Sequence, residues 1–491
     1  MTRLSPDPLL ERVANEPGAP ALAARSAVWS RVELLRAADS LATALLSEDM
    51  DPAGRVACLL EDDAPAVALI HATRRLGAVL VPLNRRAAPT ELREQLRAVR
   101  ADTLVYDKAN TETAKASLPK GVPGHRVEAL LAGAPCGLPP ALRERIDLDS
   151  PATIVFTSGT TGRPKGAVLT HDNHRASAHA WAGLLRPVPG HHWLACLPLF
   201  HVAGLAIITR VTRWGAPLQL LDRFEPQVVS AALDEGVTHL SLVPAQLRAL
   251  LDVQAGAPAP QTLQAILLGG GPIPVELLAE ARRRGYRVLT TYGLTETGSG
   301  VASGGADEAT LDDPLAGRSL PGVELRVAPD GSPDGGGEIL VRGEMVFAGY
   351  LDDPVATAAV LRDGWLHTGD IGTIDEQGLL RVADRRDDLV ISGGENIYPA
   401  EVEAVLTVHP AVAEAAIVGI PDRRWGAVPV AFVVPAAGAR PEPQDLQRHC
   451  REQLAAYKVP VRVEIVANLP RNAFGKVQRH ALRERLAVPT R

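Results

Sequence analysis

The stretch from Phe156 to Gly166 reads FTSGTTGRPKG and carries the densest chemistry in the chain. Gly159 and Gly162 allow a tight turn that brings backbone N–H groups toward an anion. Thr157, Ser158, Thr160 and Thr161 add hydroxyls, and Lys165 adds a fixed positive charge. Together they make a cradle for phosphate. This is not the P-loop, which requires G-x-x-x-x-G-K-[ST] opening a helix. Here the two glycines stand three apart and Pro164 directly precedes Lys165.

A phosphate loop needs rigid elements on either side. The run PATIVFT (151–157) is apolar and β-branched, so it reads as a buried strand. Ala167–Leu169 is a second short apolar piece, and the polar THDN after it can start a helix. Upstream, Ser30 and Glu33 form a capping-box pattern ahead of a helix ending near Leu46. Strand-like runs at Val56–Leu60, Ala78–Leu83 and Thr103–Tyr106 alternate with helical ones at Asp63–Leu76 and Glu91–Val99, which argues for an α/β layer. Residues 107–149 read as an irregular surface connection. The alternation resumes at Trp193–Leu197 and continues through Leu205–Trp214, Pro217–Leu221, His239–Val243, Ala265–Leu268 and Arg287–Thr291. From Val323 strands joined by Gly/Asp turns dominate, and a second small module begins near Asp384.

Composition narrows the function class. The chain has 491 residues, 46% apolar and 22% charged, with a net charge of −6 and no basic block, so nothing invites nucleic acid. The four cysteines lack metal spacing; Cys58 and Cys196 sit in apolar runs, as buried reduced thiols do. The N-terminus has no apolar core of signal-peptide length and no run of about 18 apolar residues occurs, so the expectation is a cytoplasmic enzyme.

Six further stretches follow the phosphate loop: LPLFH (197–201), LLGGGPIP (267–274), TYGLTET (291–297), GWLHTGDIG (364–372), DRRDDLVISGGENIYPAEVE (384–403) and LPRNAFGKVQR (469–479). In content and order they resemble the adenylate-forming superfamily of acyl-CoA synthetases, luciferases and carrier-loading adenylation domains. The resemblance spans roughly residues 150–480 and is weak over the first hundred. It implies an α/β fold. A large N-terminal domain of stacked α/β layers would cover 1–386, with a β-rich subdomain at about 318–383. A small mobile α+β C-terminal domain would cover 387–491, turning on a hinge at Asp387.

The resemblance also assigns roles. Gly269, Gly270 and Gly271 would lie flat against adenine, and Tyr292, followed by Gly293, would stack on it. Thr295 would bind phosphate, and Asp370, which the GWLHTGDIG string places on a β-turn, would hold the ribose hydroxyls with help from Arg385. Glu296 would hold Mg²⁺, which prefers a carboxylate together with substrate phosphates. His201 would stand beside the reacting carboxylate, and Gly393 and Gly394 would border the passage for CoA. Lys476 would bridge the attacking carboxylate and the α-phosphate of ATP, where two anions must meet. ATP and CoA are thus the expected co-substrates and a carboxylic acid the substrate; homo-oligomerisation is left open.

The acid itself is approached through GLAIITRVTRWG (204–215), an apolar run interrupted by Arg210 and Arg213. Three apart, the two could share a helix face. The resemblance favours Arg210 as partner for a second carboxylate on the acid, and a fatty or aryl monoacid is the alternative, as is a protein carrier in place of CoA.

Overall fold

The computed structural model describes residues 2–48, 50–133, 142–158, 164–271, 273–305, 317–329, 336–384, 389–470 and 477–487. Two large sheets stack with helices to form the bulk of the molecule. The first has seven strands in the order Gly349–Tyr350, Pro164–Thr170, Pro151–Ser158, Val79–Pro82, Arg55–Leu59, Thr103–Tyr106, Gly124–Arg126. The second has nine, with Val288–Leu294, Ala265–Leu268, His239–Leu242 and Trp193–Ala195 as consecutive parallel neighbours at its centre. Parallel strands need crossovers, and the helices Val202–Trp214, Pro226–Asp234, Pro244–Val253 and Val275–Arg283 supply them. The β-branched, doubly buried runs anticipated for such strands are present: Thr103–Tyr106 and Ala265–Leu268 are buried along their whole length.

Local signals set the helix starts. The Glu33 carboxylate accepts from the Ser30 backbone N–H at 2.8 Å, closing the cap of helix Arg31–Ser47. Thr170 caps helix His171–Leu185 by accepting from the Asn173 N–H at 3.1 Å. That cap fixes where the strand leaving the phosphate loop turns into helix. Cys196 and Cys450 are buried and free, and Cys58 is partly buried and free.

Two smaller sheets follow. Strands Glu324–Pro329, Gly337–Arg342, Leu361–Arg362, Trp365–Ile374 and Leu380–Asp384 make an antiparallel sheet. Strands Val390–Ser392, Glu395–Ile397, Val412–Asp422, Gly426–Pro435 and Arg462–Ile465 make the last one, with its own apolar core on both faces. No helix among the described residues is long and apolar enough to cross a membrane.

Two local expectations need correction. Residues 107–149 are not merely a surface connection. They include the edge strand Gly124–Arg126, which continues the seven-stranded sheet, and helix Val127–Ala132, which buries Val127 and Leu130. Its Ala, Pro and Gly content hid elements too short to show a period. Asp370 was expected on a β-turn but lies inside the ten-residue strand Trp365–Ile374. Gly369 has a φ of +74° there, and the pairing register shifts beside it, so the Gly–Asp pair marks a bulge rather than a turn.

Candidate active site

A cavity of about 610 Å³ opens where the nine-stranded sheet, helix Val202–Trp214 and the last sheet converge. Among its lining residues are His201, Arg210, Gly269, Gly270, Gly293, Thr295, Gly393 and Gly394, eight positions singled out from the sequence. They come from segments scattered over nearly 200 residues, and the crossovers bring them to one end of the parallel strands, where such sheets bind ligands.

Lys165 and Glu296, expected to meet phosphate, are not among the cavity's lining residues, nor are Tyr292 and Asp370. Lys165 sits on strand Pro164–Thr170, paired in register with Thr157, with its ammonium 5.1 Å from the centre of the Tyr350 ring. The Tyr350 hydroxyl donates to Glu296 Oε1 at 2.7 Å. Burial, with the Glu296 charge beside it, raises the phenol's pKa well above its usual value, so Tyr350 stays the donor. Glu296 itself lies on a single 3₁₀ turn, Thr295–Thr297, that ends the strand Val288–Leu294. Among the described residues there is no group of three or more His, Cys, Asp or Glu that could hold a metal. A lone carboxylate such as Glu296 suits a metal held also by ligand phosphates, as Mg²⁺ often is. Glu296→Gln should raise the Mg²⁺ concentration needed for half-maximal activity at least ~10-fold, with activity partly recovered at high Mg²⁺. A Mg²⁺ titration that matches wild type would remove Glu296 from the metal's surroundings.

Tyr292 is almost wholly buried, and its hydroxyl donates to Asp370 Oδ2 at 2.7 Å. The expected adenine-stacking residue and the expected ribose-binding carboxylate are thus tied to each other, which fixes the bulge in the Asp370 strand against the end of the Tyr292 strand. Gly269 packs so closely on this strand that a Cβ would lie 2.1 Å from Thr291 Oγ1. Gly271, two residues on, faces Ile391 of the last sheet.

Arg210, expected to meet the acid, stands in the cavity wall. It is 3% exposed, and burial alone lowers its pKa to about 9, so it remains charged at neutral pH. Its Nε donates to the Ala206 carbonyl at 3.0 Å and Nη2 reaches Ser299 Oγ at 3.4 Å, while Nη1 has no partner among the described residues. The guanidinium carbon lies 5.3 Å from the Trp181 ring and 5.2 Å from the Trp193 ring. Two indole faces are a substantial substitute for a counter-ion in a dry setting. Trp193 in turn stacks on His239 at 5.2 Å, and burial lowers that imidazole's pKa to about 4, so the stack carries no competing charge near neutrality. Arg213, three residues further along the same helix, lines a different, smaller cavity.

The third wall is the seam between the large sheets and the last one. Glu395, in the GGENIYP stretch, accepts from His201 Nε2 at 2.9 Å and from Arg86 Nη1 at 3.0 Å. Burial alone would push its pKa up, but His201 and Arg86 outweigh that and keep it below the usual range. Nearby, the Lys458 ammonium bridges Glu91 and Glu401, each at 2.6 Å, all three buried. Burial disfavours its charge, yet the two carboxylates and Tyr457 hold its pKa above the usual lysine value. Glu91 also accepts from the Ala455 N–H at 3.0 Å. Gly393 has φ +59° and Gly394 φ +88°; a Cβ at 393 would meet Trp425 on its own side of the seam at 2.8 Å, and one at 394 would press on Val243 across the seam at 3.1 Å.

This seam exists only in one relative orientation of its two sides. Glu91→Gln keeps the shape and removes the charge that faces Lys458 across it. The expected result is slower thioester formation from supplied acyl-adenylate, by about tenfold or more, with pyrophosphate release from acid and ATP changed little. Equal loss of both steps would assign Glu91 to folding instead.

Several anticipated residues lie outside the described ones: Gly159, Thr160, Thr161 and Gly162 of the phosphate loop, Arg385, the hinge position Asp387, and Lys476. The backbone of Ser158 ends the strand that leads into that loop. Conversely, sequence reasoning passed over Tyr350, Glu395, Trp181 and Trp193. Glu395 stood within a quoted motif, beside the two glycines. The other three carry no local signal, since their partners are distant in sequence.

Comparison with known proteins follows the same outline. The family model described as AMP-binding enzyme matches residues 9–351, and the AMP-binding enzyme C-terminal domain matches 401–476. The 2-succinylbenzoate–CoA ligase of Bacillus mycoides (strain KBAB4) is 38% identical over 485 residues, 98% of each chain. Among solved structures, the o-succinylbenzoate CoA synthetase of Bacillus subtilis, a double mutant bound to its product analogue OSB-NCoA, superposes with a TM-score of 0.93 at 35% identity, covering 98% of this chain and 99% of that one. The same Bacillus subtilis enzyme with its acyl-adenylate intermediate OSB-AMP scores 0.76 at 35% identity, covering 100% and 99%. Identity and coverage are alike, so the fall in score reports a different arrangement of parts. The present chain has the arrangement seen with the product analogue.

Proposed function

Because the chain belongs to the AMP-binding enzyme family, we propose that it is an ATP-dependent 2-succinylbenzoate–CoA ligase that works through an acyl-adenylate and then a thioester. The observation that carries the choice of acid is Arg210, a buried guanidinium with an unpartnered Nη1 in the cavity wall. An uncompensated buried cation is costly in a pocket for an alkyl chain. It suits an acid with two carboxylates, one activated and the other held by the guanidinium.

In the first half-reaction the succinyl carboxylate oxygen attacks the α-phosphorus of ATP. The bond to the bridging oxygen of the β-phosphate breaks, and pyrophosphate leaves. The work of the protein is to bring two anions together, so positioned positive charge is the main lever. Lys476 supplies it between carboxylate and α-phosphate, and Lys165 with the Thr157–Gly162 loop holds the outer phosphates. Glu296 and the phosphates would hold Mg²⁺, which neutralises charge developing on pyrophosphate. Thr295 binds phosphate, Gly269–Gly271, Tyr292 and Gly293 receive the adenine, and Asp370 with Arg385 binds the ribose. Holding both reactants in one cavity removes several kcal/mol of entropic cost, on the order of 7–11 at best.

In the second half-reaction the CoA sulfur attacks the adenylate carbonyl carbon, the C–O bond to AMP breaks, and AMP leaves. The seam at Gly393, Gly394, Glu395 and His201 belongs to this step, with Arg85, Arg86, Arg223 and Arg424 supplying positive charge around the cavity where CoA phosphates would enter. Alternation between the two steps by rotation about Asp387 is the family-type solution.

The test separates the steps. Purified protein with 2-succinylbenzoate, ATP and Mg²⁺ but no CoA should release one pyrophosphate per protein in a burst and retain the acyl-adenylate. CoA added afterwards should convert the adenylate to thioester and AMP. ADP and phosphate as products, or thioester formation without an adenylate, would overturn the reading.

A further inference from the structure

A second cavity, of about 30 Å³, lies beside helix Val202–Trp214 and is separate from the active-site cavity. Its polar lining is Thr73, Arg74, Thr153, His171, His174, Thr209 and Arg213. These come from helices Ala64–Leu76, His171–Leu185 and Val202–Trp214 and from strand Pro151–Ser158. No carboxylate lines it, and the remaining walls are Ile70, Leu80, Leu205 and similar apolar groups. The chemistry is one-sided: two guanidinium groups and two imidazoles converge on one small space.

Their partners do not balance that charge. Among the described residues neither Arg74 nor Arg213 forms an ion pair; Arg74 Nη1 meets only His71 Nδ1, at 3.3 Å. Arg213 Nε and His174 Nδ1 are buried with no hydrogen-bond partner. His174 is 8% exposed, and its Nε2 lies 2.9 Å from the Thr153 hydroxyl. With Thr153 donating, the imidazole hydrogen sits on Nδ1 and has nothing to donate to. Asp7 acts on Arg74, and Asp7 and Glu11 on Arg213, only through space, and Asp7 is occupied in capping its own helix at Leu9 and Leu10. Arg143 and Arg175 add further positive charge from neighbouring elements. In consequence burial and the mutual repulsion of these groups lower Arg213 to about 10 and His174 to about 4.

We propose that this cavity is a site for a single monatomic anion of chloride size, held by Arg74, Arg213 and the Nδ1–H of His174. Size selects the class. A cavity of about 30 Å³ holds one halide or about two waters, which favours a small spherical anion. The anion would fasten the same helix that carries Arg210, since Arg210 and Arg213 stand three residues apart on it and line separate cavities.

Thermal unfolding of the full chain at fixed ionic strength tests this, with sodium chloride or bromide against sodium gluconate. Saturating halide should raise the midpoint by about 2–4 °C. Arg213→Met and Arg74→Met should each abolish the halide difference, and Arg213→Met in gluconate should be no less stable than wild type, because it deletes an uncompensated cation. Crystals soaked in bromide should show an anomalous peak between Arg74 and Arg213. Equal midpoints in halide and gluconate, a halide effect that persists in both variants, or a cavity holding only water in bromide-soaked crystals would each overturn the site.

Discussion

Lys476→Ala lowers acid-dependent pyrophosphate release by about a hundred- to a thousand-fold while thioester formation from supplied acyl-adenylate stays within a few-fold of wild type. The reasoning rests on charge. A carboxylate approaching the α-phosphate of ATP is a like-charge encounter, and a lysine between them stabilises the transition state more than the separated reactants. Once the adenylate exists, its acyl carbon is electrophilic without that help, and no carboxylate has to approach a phosphate in the second half-reaction. A general folding defect would depress both half-reactions together, so the ratio of the two rates is the informative quantity. A variant that releases pyrophosphate at near wild-type rate would remove Lys476 from the first step.

Arg210→Ala has its effect on one acid only. Truncating one member of a buried charge pair costs about 2–5 kcal/mol, roughly thirty- to several-thousand-fold in kcat/KM. The loss should appear for 2-succinylbenzoate, whose second carboxylate loses its guanidinium. Benzoate or octanoate, with no second carboxylate to place, should be used no worse than by wild type. The clamp of Trp181 and Trp193 around this arginine makes the same contrast available without touching the charge. Trp193→Leu should raise KM for the diacid several-fold and leave kcat for a monoacid alone. A uniform fall for all acids in either variant would mean that the arginine holds the helix rather than the substrate.

Much of the fold was legible before any coordinates, because its signals are local. The strands Thr103–Tyr106 and Ala265–Leu268 are short β-branched or aliphatic runs, and the helix from Pro399 opens on a proline at its first position. The glycine-rich strings were legible as sites because only backbone permissiveness explains three glycines together. Other features were not. The edge strand Gly124–Arg126 is three residues long and owes its conformation to the neighbouring Thr103–Tyr106 strand. The bulge at Asp370 depends on cross-strand register, which no single segment encodes. Arg210 and Arg213 looked like two members of one face, yet helix packing sends one to the large cavity and the other to the small one. Tyr350 and Glu395 gain their roles from partners 54 and 194 residues away. Such pairings are tertiary facts, set by the crossovers of the sheets.

The central claim is that a buried arginine selects a dicarboxylic acid for adenylation and transfer to CoA. The most direct measurement is a competition in one vessel: purified protein with ATP, Mg²⁺, CoA and equal concentrations of 2-succinylbenzoate, benzoate and octanoate, with the thioesters resolved and counted. The account requires 2-succinylbenzoyl-CoA to dominate by at least about a hundredfold, with AMP formed in equal amount. Octanoyl-CoA or benzoyl-CoA as the main product would contradict it.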